Sequence, residues 1–299
     1  MLAHNLFAYK SHQAIRAQTV RELMEADLKP ALGLLSENML RSIHLRSMLA
    51  DNGLSHPSNR GHFYGYFEDK QLVGLALLGH AIMIYARPEA EAQALALFAQ
   101  KVMETNVSGN VIYGPFQQVE TFWSHLEKLG RETKMVRNLR WYVCQKPLLP
   151  VASLQMRRAN LEELEPIAEA HAKMLMEETG TDPRTVDSEG FRRRVAERIG
   201  RHRTWIKLEN NEVIFKAELQ SVSPEVVYLE GVWTHEPQRD KGIAKACLTE
   251  LVHRLLKQHQ LLCLAVEPEE EIAIKLYEQV GFVHAEQYHA RYLKPLPTT

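Results

Sequence analysis

Apolar positions along the chain switch between runs of period two and runs of period 3.6, and this predicts strands and helices in a repeating order. The clearest stretch is 226–253. Val226, Val227, Tyr228, Leu229, Val232 and Trp233 make a β-branched, aliphatic and aromatic run, the composition of a covered strand. Pro237 cannot donate to a sheet ladder, so the strand ends before it. Past Gly242, Ala244, Leu248, Leu251, Val252 and Leu255 recur at helical spacing. A second strand–helix pair follows. Residues 261–266 are apolar and Pro268 ends them. Ala273, Leu276, Tyr277 and Val280 then stripe a helix that begins near Glu269 and stops at Gly281.

The remaining pattern places a strand at 19–23 and a helical segment from Pro30 to Asp51 carrying Leu34, Leu35, Met39, Ile43, Leu45 and Leu49. Residues 62–68 and 72–79 pair as a hairpin about Asp69-Lys70, and 81–85 is a third strand. A helix opens at Pro88, a short strand covers 111–113, a helix 119–129, and a strand 135–143. Pro147 and Pro150 make 146–150 an extended linker. Beyond it come a strand at 155–158, a helix at 161–178, a break at 180–183 and a helix at 187–200. Next is a hairpin, 204–208 with 213–219, around Asn210-Asn211. Both halves then read strand, helix, hairpin, strand, helix, strand, helix, strand. The pattern implies a tandem duplication of one α/β fold, divided into 1–150 and 151–299. The repetition lies in the order of elements, with little residue identity between halves.

Composition narrows the class. The chain has 299 residues, enough for two ordinary domains. Lys plus Arg number 36 and Asp plus Glu 37, so the charge balance gives no reason to expect a nucleic-acid partner. The longest apolar run, 72–86, is interrupted by Gly79-His80 and falls short of the ~20 residues a membrane helix needs, so no membrane partner is expected. No compact apolar region precedes a cleavage-type site, and no signal peptide is expected. Cys144, Cys247 and Cys263 lie far apart in apolar segments and lack metal-ligand spacing; an odd number of thiols suits a reduced, cytoplasmic setting. The 14 histidines show no metal-site spacing either, so no metal is expected.

Between the strand and helix of 226–253 lies Arg239-Asp240-Lys241-Gly242-Ile243-Ala244, an R-x-x-G-x-A run. A helix N-terminus offers unpaired N–H groups and a partial positive charge, which together hold an anion. Gly242 lets a phosphate approach the backbone, Ala244 keeps the next position small, and Arg239 and Lys241 add charge. The plain alternative is a strand–loop–helix turn with solvated charges. The second pair ends in Leu276-Tyr277-Glu278-Gln279-Val280-Gly281-Phe282. Together, these two stretches resemble the GNAT superfamily of acyl-CoA-dependent N-acyltransferases. Its members carry R/Q-x-x-G-x-G/A at a helix start after a strand, then a strand and a helix ending L-Y-E-x-x-G-F. The resemblance covers roughly the last third of the chain. One position departs: where the family often has Asn, three residues before the helix alanine, this chain has Glu270.

The resemblance implies two GNAT-like domains, each with a mixed, mostly antiparallel sheet flanked by helices. It implies direct acetyl transfer from acetyl-CoA to an amine of a small molecule or peptide, with the acceptor and the oligomeric state left open. Pantetheine would lie along the backbone of Val232, Trp233 and Thr234 by strand addition. The pyrophosphate would meet the loop from Arg239 through Asp240, Lys241, Gly242 and Ile243 to Ala244. Tyr277 matches the family tyrosine that donates a proton to the departing thiolate; a core tyrosine is the alternative. Glu230 is the expected base, sharing a strand face with Tyr228 and Val232 by alternation. Glu218 competes, with His235 third. A structural ion pair would explain either glutamate without catalysis. The arginines from Arg192 to Arg203 suit an acidic substrate, the CoA 3′-phosphate or a solvated helix face. In the first half, Pro88, Glu89 and Glu91 stand at the corresponding helix start with no glycine, so that half is expected to be degenerate and to bind no acyl-CoA. A non-catalytic acyl-CoA-binding module is the alternative for the whole chain.

Overall fold

The computed structural model describes residues 17–105, 107, 109–151 and 156–295. The first half runs β1 (Gln18–Glu22), α1 (Leu28–Leu35), α2 (Ile43–Asn52), β2 (Gly61–Glu68), β3 (Gln71–Gly79), β4 (Ala81–Ala86), α3 (Glu91–Glu104), β5 (Val111–Pro115), α4 (Phe116–Lys128) and β6 (Thr133–Cys144). The second runs β7 (Arg157–Arg158), α5 (Leu164–Thr179), α6 (Pro183–Gly200), β8 (Thr204–Glu209), β9 (Glu212–Val222), β10 (Val226–Thr234), α7 (Ile243–Leu255), β11 (Leu261–Val266), α8 (Glu271–Val280) and β12 (Val283–Leu293). The order matches the sequence pattern in both halves. Gln155, where a strand was expected to begin, lies outside the described residues. Both hairpin turns take left-handed backbone at their two central residues, Asp69 and Lys70 at φ 47° and 70°, Asn210 and Asn211 at 51° and 64°. That is the twist a two-residue hairpin demands.

The helix expected to open at Pro88 starts at Glu91 after a turn at 88–90, α4 starts at Phe116, three residues early, and two further helices differ more. The segment expected as one helix from Pro30 to Asp51 breaks at 36–42, where Ser36 Oγ bonds back to the Leu32 carbonyl and the buried Ser42 hydroxyl to that of Leu35. Such back-bonding competes with the helix ladder. Helix α6 starts at Pro183, four residues early. Asp182 accepts from the Arg184 N–H and proline occupies the first helical position. The helix then kinks at Asp187 (φ −157°, ψ 81°).

The twelve strands of the described residues form one sheet, in the order β1-β2-β3-β4-β5-β12-β6-β11-β10-β9-β8-β7. Only β4 with β5 and β10 with β11 run parallel. The last strands are exchanged. β12, from the second half, sits between β5 and β6 of the first. β6 lies between β12 and β11 of the second. Its Tyr142 enters the apolar core beneath α7 and α8, and Trp141 stacks between Tyr228 and Tyr288. Neither half closes its sheet alone. Helices α1, α2, α5 and α6 pack on clusters separate from those under α3, α4, α7 and α8.

Candidate active site

β10 and β11 pair only through Val226–Leu261, Val227–Leu262 and Tyr228–Cys263, then part. The backbone groups of residues 229–234 that face the split have no partner in β11. On its other edge β10 stays paired with β9, but one extra residue enters between Glu230 and Trp233, where Gly231 takes φ 56°. This bulge overturns one expectation. Val232 does not share a face with Tyr228 and Glu230: it packs on the core under α7 and α8, while Trp233 turns to the α5–α6 side. The extra residue shifts the alternation by one.

The split opens into a cavity of about 990 Å³ lined from both halves. Tyr277 reaches it from α8, on one face of the sheet; Glu230 reaches it from the opposite side, near α6. Tyr277 is 9% exposed, and burial, then the carboxylates of Glu178 and Glu270, push its phenol well above the ordinary value. It is a protonated donor at neutral pH. The Glu230 side chain is 31% exposed and touches Arg198 at 3.5 Å. Burial raises its carboxyl above the usual range, Arg198 opposes this, and Glu218 adds to the rise.

Glu218 behaves differently. It is 2% exposed, bonds to Lys216 at 3.2 Å and pairs with Arg198. Burial favours its neutral form, but Lys216 and then Arg198 outweigh that and hold it at about 2. A carboxylate so acidic and so paired is a poor proton acceptor. His171 lies 3.4 Å from it and is neutral, since burial and then Lys216 pull its imidazole down to about 3. His235 pairs with Glu212 and does not line the cavity.

Three helices aim one stripe each at this space. α2 contributes His44, Ser47, Met48, Asp51 and Asn52, at the i, i+3, i+4, i+7, i+8 spacing of a single face. α5 contributes His171, Met174, Leu175 and Glu178. α6 contributes Phe191, Arg194, Val195 and Arg198, and Arg201 follows at its C-cap, whereas Arg192 pairs outward with Glu165. The arginine run therefore divides between wall and surface. Glu178 was not singled out from sequence: it ends a helix with no motif around it. Its carboxyl is raised by burial, with Lys216 and Arg137 opposing and Glu270 adding to the rise.

At the far end of β10 the chain turns through Asp240 (φ 62°) and Gly242 (φ 75°) into α7. Gly242 caps the helix with no side-chain bond to its first N–H groups, and no acidic residue occupies the first turn. A Cβ built on Gly242 would meet no atom within 4 Å, so the space before the helix is open. This fits an anion. Arg239 is turned toward the Thr234 carbonyl at 3.1 Å and Glu177 at 2.7 Å; Lys241 bonds Gln238 at 3.2 Å. In the first half β4 and β5 also part, after Ile82–Ile112, but the cavity there is about 260 Å³ and holds Glu91, whose carboxyl burial raises. Among the described residues, no group of three or more His, Cys, Asp and Glu is placed to hold a metal ion. No helix among them is long and apolar enough to cross a membrane.

A split parallel strand pair leading to an uncapped helix start, repeated in weaker form in the other half, defines a tandem GNAT-type fold. Residues 168–282 match the acetyltransferase (GNAT) family, and residues 61–167 match a domain of unknown function, DUF4081. The family match lies within the second half, and the fold of the whole chain is of the tandem GNAT type. Solved structures agree on the fold. A tandem GNAT protein from the clavulanic acid biosynthesis pathway, solved without AcCoA, superposes with TM-score 0.61 at 12% identity, over 95% of this chain and all of that one. A GNAT-family acetyltransferase from Colwellia psychrerythraea gives 0.57 at 16% identity, over 92% of this chain and all of that one. A GCN5-related N-acetyltransferase from Sphaerobacter thermophilus gives 0.54 at 14% identity, over 94% of this chain and 98% of that one. A search of curated proteins gave no match.

Proposed function

We propose that the chain is a cytoplasmic N-acetyltransferase that moves an acetyl group from acetyl-CoA directly to an amine. The observation that carries this reading is the split between β10 and β11, which has Glu230 on one side, Tyr277 on the other and the open helix start of α7 at its end. Pantetheine adds as a strand to the free edge at Val232, Trp233 and Thr234. The pyrophosphate sits before Gly242, Ile243 and Ala244, with Lys241 beside it and Arg239 one side-chain swing away. Glu230 takes the proton of the incoming ammonium. The neutral amine attacks the thioester carbonyl, forming the C–N bond. The C–S bond breaks, Tyr277 donates its phenolic proton to the thiolate, the proton shed by the new amide nitrogen returns through water to the Tyr277 oxygen, and Glu230 releases its proton to solvent. Placing base and acid on opposite sides of the split keeps the two proton transfers apart. Residues 151–299 carry this chemistry and residues 1–150 bind no acyl-CoA. Buried, unpaired Cys144, Cys247 and Cys263 suit a reducing compartment.

The test is release of CoA thiol from acetyl-CoA against a panel of amines. Turnover with a subset of amines is expected. Tight acetyl-CoA binding without turnover of any amine would assign a binding module instead.

A further inference from the structure

The cavity does not end at the split. It runs under the first half to Arg60 and His80, past Leu77, Ala81, Met83 and Val111. Its other arginines are matched by acids. Arg137 pairs with Glu267, Arg194 with Asp187, Arg198 with Glu218, and Arg201 and Arg203 with Asp51. Arg60 has no carboxylate partner among the described residues. Its guanidinium donates to His80 Nδ1 at 3.1 Å, and Asn110 Nδ2 donates to the same nitrogen at 2.9 Å. Burial, then the Arg60 charge, lowers the His80 imidazole below its usual value, so Arg60 stands beside a neutral ring.

The backbone around this cation is tightly built. Arg60 takes φ 51°, its N–H bonds the Pro57 carbonyl at 3.0 Å, and its own carbonyl accepts from the His80 N–H at 2.8 Å. A Cβ on Gly79 would lie 2.2 Å from that carbonyl, so only glycine lets the strands close there. The Asn110 N–H holds the His80 carbonyl at 2.8 Å. Arg60 is exposed, so its guanidinium stands at the mouth of the cavity, held on one side by His80 and open on the other to an anion.

We infer that Arg60, seated against His80, binds an anionic group on the far end of the acceptor, whose amine lies at Glu230. This rests on the acetyl-transfer reading and specifies the substrate class. From β4 to β10 there are five strand steps, the last of them across the split, so the span along the sheet is at least roughly 24 Å. Side chains reach in from both ends, leaving roughly 10–15 Å, or three to four extended residues. The acceptor is therefore an elongated amine with a terminal carboxylate or phosphate, such as a short peptide with a free C-terminus.

The experiment is calorimetric, with CoA present, so that it needs no turnover. The probes are N-acetyl-tetraalanine with a free carboxylate, its C-terminal amide, and an N-acetyl aminoalkyl phosphate of equal length. A charge-assisted contact predicts that at least one anion binds roughly ten- to hundredfold tighter than the amide. The preference should vanish in Arg60→Met, persist in part in Arg60→Lys, and weaken as salt rises. The ranking of the two anions assigns carboxylate or phosphate. Equal binding of acid and amide, no binding of any probe, or a preference that survives Arg60→Met in a protein with wild-type unfolding would overturn it. Anion-selective binding without acetyl transfer to any amine would retain this site and remove the proposed reaction.

Discussion

Residues 151–299 expressed alone are expected not to fold to a cooperative, acetyl-CoA-binding state. The cut removes β6, which fills the place between β11 and β12 and carries Trp141 and Tyr142, 0% and 1% exposed. Losing a buried aromatic costs about 3–5 kcal/mol, and two such losses rival the ~5–15 kcal/mol that stabilise an ordinary domain. The cut also bares the facing edges of β11 and β12, which invites aggregation. A chain of residues 131–299 keeps β6 and should regain a cooperative thermal transition. Circular dichroism and calorimetry decide it. A cooperative transition with acetyl-CoA binding in 151–299 alone would show that the exchange is dispensable.

Tyr277→Phe and Glu230→Gln are the second large effect. General acids and bases contribute roughly 10²–10⁴-fold to rate, and losses of that size are expected in kcat with acetyl-CoA affinity little changed. The sign of the pH dependence follows from Glu230. A base must be ionised, so wild-type rate should fall as pH drops through a pKa raised above the ordinary carboxylate range by burial. Glu230→Gln should erase that limb. Glu218→Gln should act otherwise. Its carboxylate offsets the buried Lys216 and Arg198, and removing it leaves charge uncompensated, at a cost of roughly 3–5 kcal/mol in stability. Because Glu218 is depressed to about 2, the stability it contributes is present above its unfolded pKa, near 4.5, and is lost as pH falls from there toward 2. Rate–pH profiles and denaturant midpoints separate the two glutamates. A wild-type rate in Glu230→Gln, with the low-pH limb intact, would remove it as the base.

Much of this was written locally in the chain. The hairpins at Asp69-Lys70 and Asn210-Asn211, the stop at Pro237 and the helix start at Gly242 each rest on one residue's backbone preference, and each appears where expected. The early start of α6 had its signal too, in Asp182-Pro183, a cap followed by proline. The strand exchange had none. β6 and β12 read as strands, but which neighbour a strand takes is settled by packing across more than a hundred residues. The bulge did have a signal, a lone glycine at Gly231 inside a strand pattern, and its one extra residue sends Val232 to the other face. Glu178 and Arg60 escaped because their importance comes from what surrounds them in space: the charge of one bears on Tyr277, and the other has no acid partner among the described residues.

The central claim is a single acyl-CoA site, between β10 and β11 and before α7. Calorimetric titration of the full chain with acetyl-CoA tests it most directly, with Gly242→Val as the partner experiment. A valine Cβ occupies the open space before the helix, and φ 75° disfavours it further. One acetyl-CoA per chain is expected, and none in Gly242→Val of wild-type circular dichroism. Two acetyl-CoA per chain, or undiminished affinity in the folded variant, would contradict it.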